Sequence, residues 1–325
     1  MRTFVSAHQV RAICRAGGFR LRQKGFSLIE LMIALSIGLL IMVSVLTIYV
    51  AASRTSRTSE MESQMNEDGL IALNIIQQQI RMAGYSNFEN AATTDNANFT
   101  GAGVIGCSAA AFYPNATVQP ALSSLGSSAC GVVSGLGDGI IIRYEADLRN
   151  TVPTSATPPL PTNCLMNGAA TATNTVGATY YLPENRYFVA SSSTTPLALF
   201  CAAGAQIQPV LDNVEKMVLL YGISATTEAA DTQVVTYLNA SDLNTAFSGE
   251  SMDTRWMRVL SVKSCLLMRS TDPVKDIAAT ATYRDCDGSV VTQTTPDGYL
   301  RRAFITTSTL RNRLTITDRN RKNES

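Results

Sequence analysis

Between Phe26 and Ser53 the chain reads FSLIELMIALSIGLLIMVSVLTIYVAAS, and Glu30 is its only charge. An acidic side chain at the centre of a membrane-spanning helix costs roughly 2.5–3.5 kcal/mol. Near the helix end the cost is smaller, yet a carboxylate kept there calls for a partner or a task. The second reactive set is sulfur. Beyond the apolar run stand Cys107, Cys130, Cys164, Cys201, Cys265 and Cys286, with Cys14 ahead of it. An even set suits disulfides in an oxidising compartment. Six cysteines allow 15 pairings, and the expected one joins neighbours in order: Cys107–Cys130, Cys164–Cys201, Cys265–Cys286. Each bond closes a loop of a few tens of residues and stabilises by roughly 3–4 kcal/mol. Zinc is the competing use, but the spacings hold no CxxC pair.

The sole histidine is His8. Downstream of it there is no material for a histidine triad, a histidine metal ligand or an imidazole acid–base group. No phosphate-binding glycine loop appears. Asp285-Cys286-Asp287-Gly288 and Pro296-Asp297-Gly298 read as acidic turns, since a calcium loop needs further oxygen ligands and a closing glutamate. No catalytic residue, metal or cofactor is therefore expected.

The elements that position Glu30 are legible around it. Residues 1–25 hold Arg2, Arg11, Arg15, Arg20, Arg22 and Lys24 and no acid, so the remaining 20 Lys+Arg face 25 Asp+Glu. A mildly acidic body gives no electrostatic reason to expect nucleic acid. A basic stretch ahead of an apolar run is a membrane-orientation signal, basic end cytoplasmic. The uncharged run from Leu31 to Ser53 is long enough to span a bilayer, and longer than a secretory signal core. An uncleaved N-in anchor is the plain alternative.

No proline occurs before Pro114, so nothing forces a kink. A continuous helix over 26–83 would be about 87 Å long. After Ser53 it turns amphipathic: Met61, Met65, Ala72, Ile76, Ile80 and Ala83 fall near one stripe, widened by Leu70, Leu73 and Ile75. Gly84 is a plausible C-cap. Strand signals dominate past residue 100, in 139–144, 186–190 with 197–200, 214–222, 259–269 and 299–310. A short helix over 241–247 is expected, capped by Ser241. Strands following one long helix argue α+β.

Lys24-Gly25-Phe26-Ser27-Leu28-Ile29-Glu30-Leu31 resembles the class III signal of type IV pilins and type II secretion pseudopilins. The resemblance implies that a prepilin peptidase cuts after Gly25, that Phe26 is N-methylated, and that Glu30 pairs with the amine of a neighbouring subunit during docking. Residues 210–222, Leu267-Met268-Arg269-Ser270, Leu300-Arg301-Arg302 and Leu310-Arg311-Asn312-Arg313 resemble the PilW minor pilins, a family similar to the J-type minor pseudopilins. The likeness fades over 86–135 and 145–180. It implies a type IV pilin fold, a long N-terminal helix packed on antiparallel sheet with extra J-like strands. The implied division is a leader over 1–25, a transmembrane and filament-core helix over 26–53, its amphipathic continuation over 54–84, and a disulfide-bonded periplasmic domain over 85–325. It further implies a single-pass inner-membrane protein that later enters the filament or its tip. The partners implied are other minor pilins, the major pilin and a pilus-tip adhesin. A J-type pseudopilin of a secretion system is the alternative within the resemblance.

Overall fold

In a computed structural model the structure describes residues 25–87, 97–108, 137–174, 177–191, 197–204, 206–227, 231–274, 282–293 and 297–312. The leader as far as Lys24, Cys130 and the basic tail from Arg313 lie outside these. The chain divides into two units, Met1–Ser56 and Arg57–Ser325.

One helix, α1 (Leu28–Met82), crosses the division. Its share in the first unit is a run of aliphatic side chains, all exposed, long and apolar enough to cross a membrane. Its share in the second unit is amphipathic. Met65, Gly69, Ala72, Leu73, Ile76 and Ile80 are buried, and Ala83 continues the stripe. Fully burying an isoleucine such as Ile76 or Ile80 contributes about 1.5–3 kcal/mol. Leu70 departs from the expected stripe and is 64% exposed. At about 100° per residue it lies a quarter-turn from Gly69, the residue that faces the sheet.

The named strands of the second unit pair antiparallel. Five strands lie in the order β1 (Val104–Cys107), β2 (Gly139–Arg143), β5 (Glu184–Ala190), β6 (Ala198–Ala203), β7 (Gln206–Asp212). Four lie in the order β13 (Arg301–Thr309), β10 (Val259–Arg269), β8 (Val214–Ile223), β9 (Thr236–Leu238). Two small hairpins, β3 (Thr171–Thr173) with β4 (Thr179–Tyr181) and β11 (Thr282–Arg284) with β12 (Val290–Thr292), complete the described strands. With a long helix ahead of antiparallel sheets, the architecture is α+β.

The inner strand β10 is buried over most of its length, Lys263 being its exposed residue, which explains its near-continuous apolar run. Its register aligns Leu266 with Phe304 and Cys265 with Ile305. Phe304 lies against Gly69 of α1: a Cβ on Gly69 would stand 2.5 Å from the ring. Glycine in a helix interior costs about 1 kcal/mol relative to alanine, and here it makes room for an aromatic ring against the helix backbone. Gly84 ends α1 with φ +73°, and its N–H donates to the Arg143 carbonyl at 2.9 Å.

Two short helices, α2 (Ala240–Ala246) and α3 (Met252–Trp256), follow β9. The cap of α2 is Asn239, not Ser241. Asn239 has extended backbone, and its side chain accepts from the Asp242 N–H, which places Ser241 inside the first turn. Trp256 is buried edge-on to Tyr221, ring centroids 4.8 Å apart.

Candidate functional site

The start of α1 is built by its own first residues. Ser27 is the last residue before the helix; its Oγ accepts from the Ile29 N–H at 3.2 Å, and its N–H donates to Glu30 Oε2 at 3.0 Å. This reciprocal arrangement is a capping box, which satisfies backbone donors that a helix start leaves open. The carboxylate also lies at the positive end of the helix dipole, which favours it there. Glu30 thus has an intrachain task, and the Ser-x-x-Glu spacing that signals it was in plain view. Just ahead, Gly25 has nothing within 4 Å of where a Cβ would stand, and Phe26 is 86% exposed. Peptide 25–26 therefore lies in exposed, open chain before the first helical residue. Within the apolar run, Ser36, Ser44 and Thr47 donate their hydroxyls to carbonyls three or four residues back, so these three hydroxyls are satisfied within the helix.

The second unit is locked by sulfur and charge. Cys164 joins Cys201, Cα atoms 6.6 Å apart, and ties the 150–170 loop to β6. Cys265 joins Cys286, Cα atoms 5.7 Å apart, and ties the β11–β12 turn to β10. Cys107 is disulfide-bonded, and Cys130 lies outside the described residues. In the Asp285–Ser289 turn, Gly288 has φ +84° and the Gly288 N–H donates to the Asp285 carbonyl. Lys216 Nζ reaches Asp285 at 2.7 Å.

Beside that turn Arg301 forks both oxygens of Glu215, at 2.6 and 2.7 Å, and also reaches Asp297. Its donors hold the Asp297 carboxyl down to about 2. A single guanidinium thus joins β13, β8 and the 297–300 turn. Sequence reading missed this hub, although Arg301 stands in the segment that carries the resemblance.

At the far end of α1, Asn312 Nδ2 donates to the carbonyls of Arg81, Met82 and Ala83 at 3.0–3.3 Å. These are carbonyls a helix end leaves open. Glu145 is buried and accepts from Ser86 Oγ, the Asn87 N–H and Asn98 Nδ2. All three of these donors are neutral. Arg143 is buried too, holding the Ala102 carbonyl and Asp253. Burial pushes the Tyr187 and Tyr221 phenols well up. Among the described residues no group of three or more His, Cys, Asp or Glu could hold a metal ion. These buried charges hold loops together; none pairs a nucleophile with a base.

Residues 186–312 match the family model described as PilW, Type IV Pilus-assembly protein W. Residues 20–46 match the prokaryotic N-terminal methylation motif. No curated protein matches the chain. Among solved structures, a type IV-like pilin from Thermus thermophilus is similar at 11% identity, covering 76% of this chain and 95% of that one, with a TM-score of 0.34. So low a score carries no weight of its own. The PilW match spans β5 through β13, including Arg301 and Asn312, and the methylation motif spans Gly25, Phe26 and Glu30.

Proposed function

We propose that this chain, a type IV pilin-like protein with a PilW domain and no enzymatic role, is a minor pilin that joins a priming complex and ends at the pilus tip. Prepilin peptidase cuts after Gly25, and Phe26 is then N-methylated. The protein waits as a single-pass inner-membrane anchor with its disulfide-bonded domain in the periplasm. It then docks with other minor pilins and the major pilin, and a tip adhesin is the natural further partner.

The observation that carries this reading is the start of α1: an open Gly25–Phe26 peptide placed directly before a helix whose third residue is a carboxylate. Cleavage leaves a cationic amine at Phe26. In an apolar surround that amine and the Glu30 carboxylate of a neighbour attract strongly, and either one left without the other is costly. Docking therefore exchanges the intrachain bond from Ser27 for an interchain ion pair. Glu30→Leu should leave cleavage and membrane insertion intact and lower co-purification with the other minor pilins. Co-purification at the wild-type level would remove Glu30 from docking.

A further inference from the structure

We infer that the second unit carries two complementary patches through which copies of this chain dock head to tail: a lysine-centred sheet face on one copy and a glutamate-headed helix stripe on the next. Phe304 turns toward α1, so its neighbours Ile305 and Thr307 on β13 point to the opposite face. The register sets Lys263 between Leu220 and Thr307, and Cys265 between Val218 and Ile305. The β11–β12 hairpin, fixed by Cys286 and Asp285, occupies the part of this face near Leu267. The part around Lys263 lies open: Ile305 is 50% exposed, and Lys263 and Thr307 are exposed. Among the described residues Lys263 has no hydrogen-bond or ion-pair partner. A cation set among Val218, Leu220 and Ile305 calls for a carboxylate set among apolar side chains.

The same chain offers one. On the side of α1 turned from the sheet, Glu67, Leu70 and Ile71 fall at i, i+3 and i+4, neighbours on one helix face. All three are exposed, and Glu67 has no hydrogen-bond or ion-pair partner among the described residues. Asp68 beside it adds to the negative field. The adjoining pair Leu70–Ile71 is the apolar counterpart to Val218, Leu220 and Ile305.

The two patches point away from each other, one outward from the sheet and one outward from the helix. A contact between them is heterologous and repeats along a stack instead of closing a two-fold dimer. The area is small, which belongs to weak contacts. Anchoring in one membrane raises the effective concentration enough for such a contact to matter. This docking goes beyond the assembly role proposed above and does not depend on removal of residues 1–25.

The test uses the full chain in cell envelopes, with Ile305 replaced by the photo-crosslinker p-benzoylphenylalanine. Irradiation should give a dimer whose crosslinked peptide joins position 305 to residues 67–74. Lys263→Glu and Glu67→Lys, each alone, should lower the dimer yield at least about tenfold, because like charges then meet across the contact. The double variant K263E/E67K restores opposite charges and should recover most of the yield, which a folding defect would not. A crosslink from position 305 to a different protein only, or a dimer unchanged in both single variants, would overturn the proposal.

Discussion

Gly103→Ala probes how the end of α1 is seated. A Cβ at Gly103 would stand 2.3 Å from Gly84 N, 2.7 Å from Gly84 Cα and 2.8 Å from Ala83 C. All three are backbone atoms, so no rotamer change relieves the clash. Reaching ordinary contact at about 3.5 Å needs the helix end to retreat by about 1 Å. That movement strains two bonds on either side, Gly84 N–H to the Arg143 carbonyl and Arg143 N–H to the Gly103 carbonyl, at 2.9 and 2.8 Å. Overpacking costs about 1–3 kcal/mol, and a weakened hydrogen bond adds about 1 kcal/mol. The smaller entropy of the unfolded alanine chain offsets about 0.4–1 kcal/mol. The net expectation is destabilisation by about 2–3 kcal/mol. The assay is urea unfolding of the oxidised full chain in detergent, followed by tryptophan fluorescence. Trp256 is the sole tryptophan and is buried in the second unit, so the signal reports that unit alone. Gly249→Ala, with nothing within 4 Å, serves as the control and should be neutral or slightly stabilising. A Gly103→Ala midpoint equal to the control's would refute the close approach.

Other expectations rest on single features. Asn312→Ala leaves the last carbonyls of α1 to solvent and should cost about 1 kcal/mol in the same assay; no change would mean that water replaces the amide fully. Replacing both Cys164 and Cys201 by serine opens a loop of 37 residues and should lower stability by about 3–4 kcal/mol, visible as faster proteolysis of the 150–170 loop. The Asp297 carboxyl is depressed to about 2 by Arg301, from a usual 3.8. Its contribution is present above pH 4 and is lost as pH falls from about 4 to 2. With Asp297 half-exposed, solvent screening holds that contribution under about 1 kcal/mol. Asp297→Asn should flatten the acid limb of the stability profile by that amount, and an unchanged limb would remove the ion pair from the account.

How much of this was legible in the sequence depended on how each segment is buried. Strands β2, β8, β10 and β13 announce themselves because they are runs rich in apolar or β-branched residues, and β2, β8 and β10 are largely buried. Strand β7, Gln206–Asp212, hides because it is an edge: it is largely exposed and carries Pro209, which an edge strand tolerates. Strand β1 is four residues long, and the β11–β12 hairpin draws its hold from Cys286, Arg301 and Lys216 instead of an apolar face. Leu70 was counted with the buried stripe because spacing alone does not tell which side of a wide stripe meets a sheet. At the site, residue types around Gly25 and Glu30 were readable, but the cap by Ser27 was overlooked. The Arg301 hub and the Asn312 cap join residues far apart in the chain, Arg301 to Glu215 and Asn312 to Arg81, and no local pattern encodes such pairings.

Assembly, as proposed, begins when the chain is shortened at the 25–26 bond to expose a methylated amine beside Glu30. Intact-mass and N-terminal peptide spectrometry of the protein drawn from cell envelopes tests it most directly. The expected first residue is N-methyl-phenylalanine at position 26, with Gly25→Trp leaving the longer precursor. A functional protein that still begins at Met1 would contradict it.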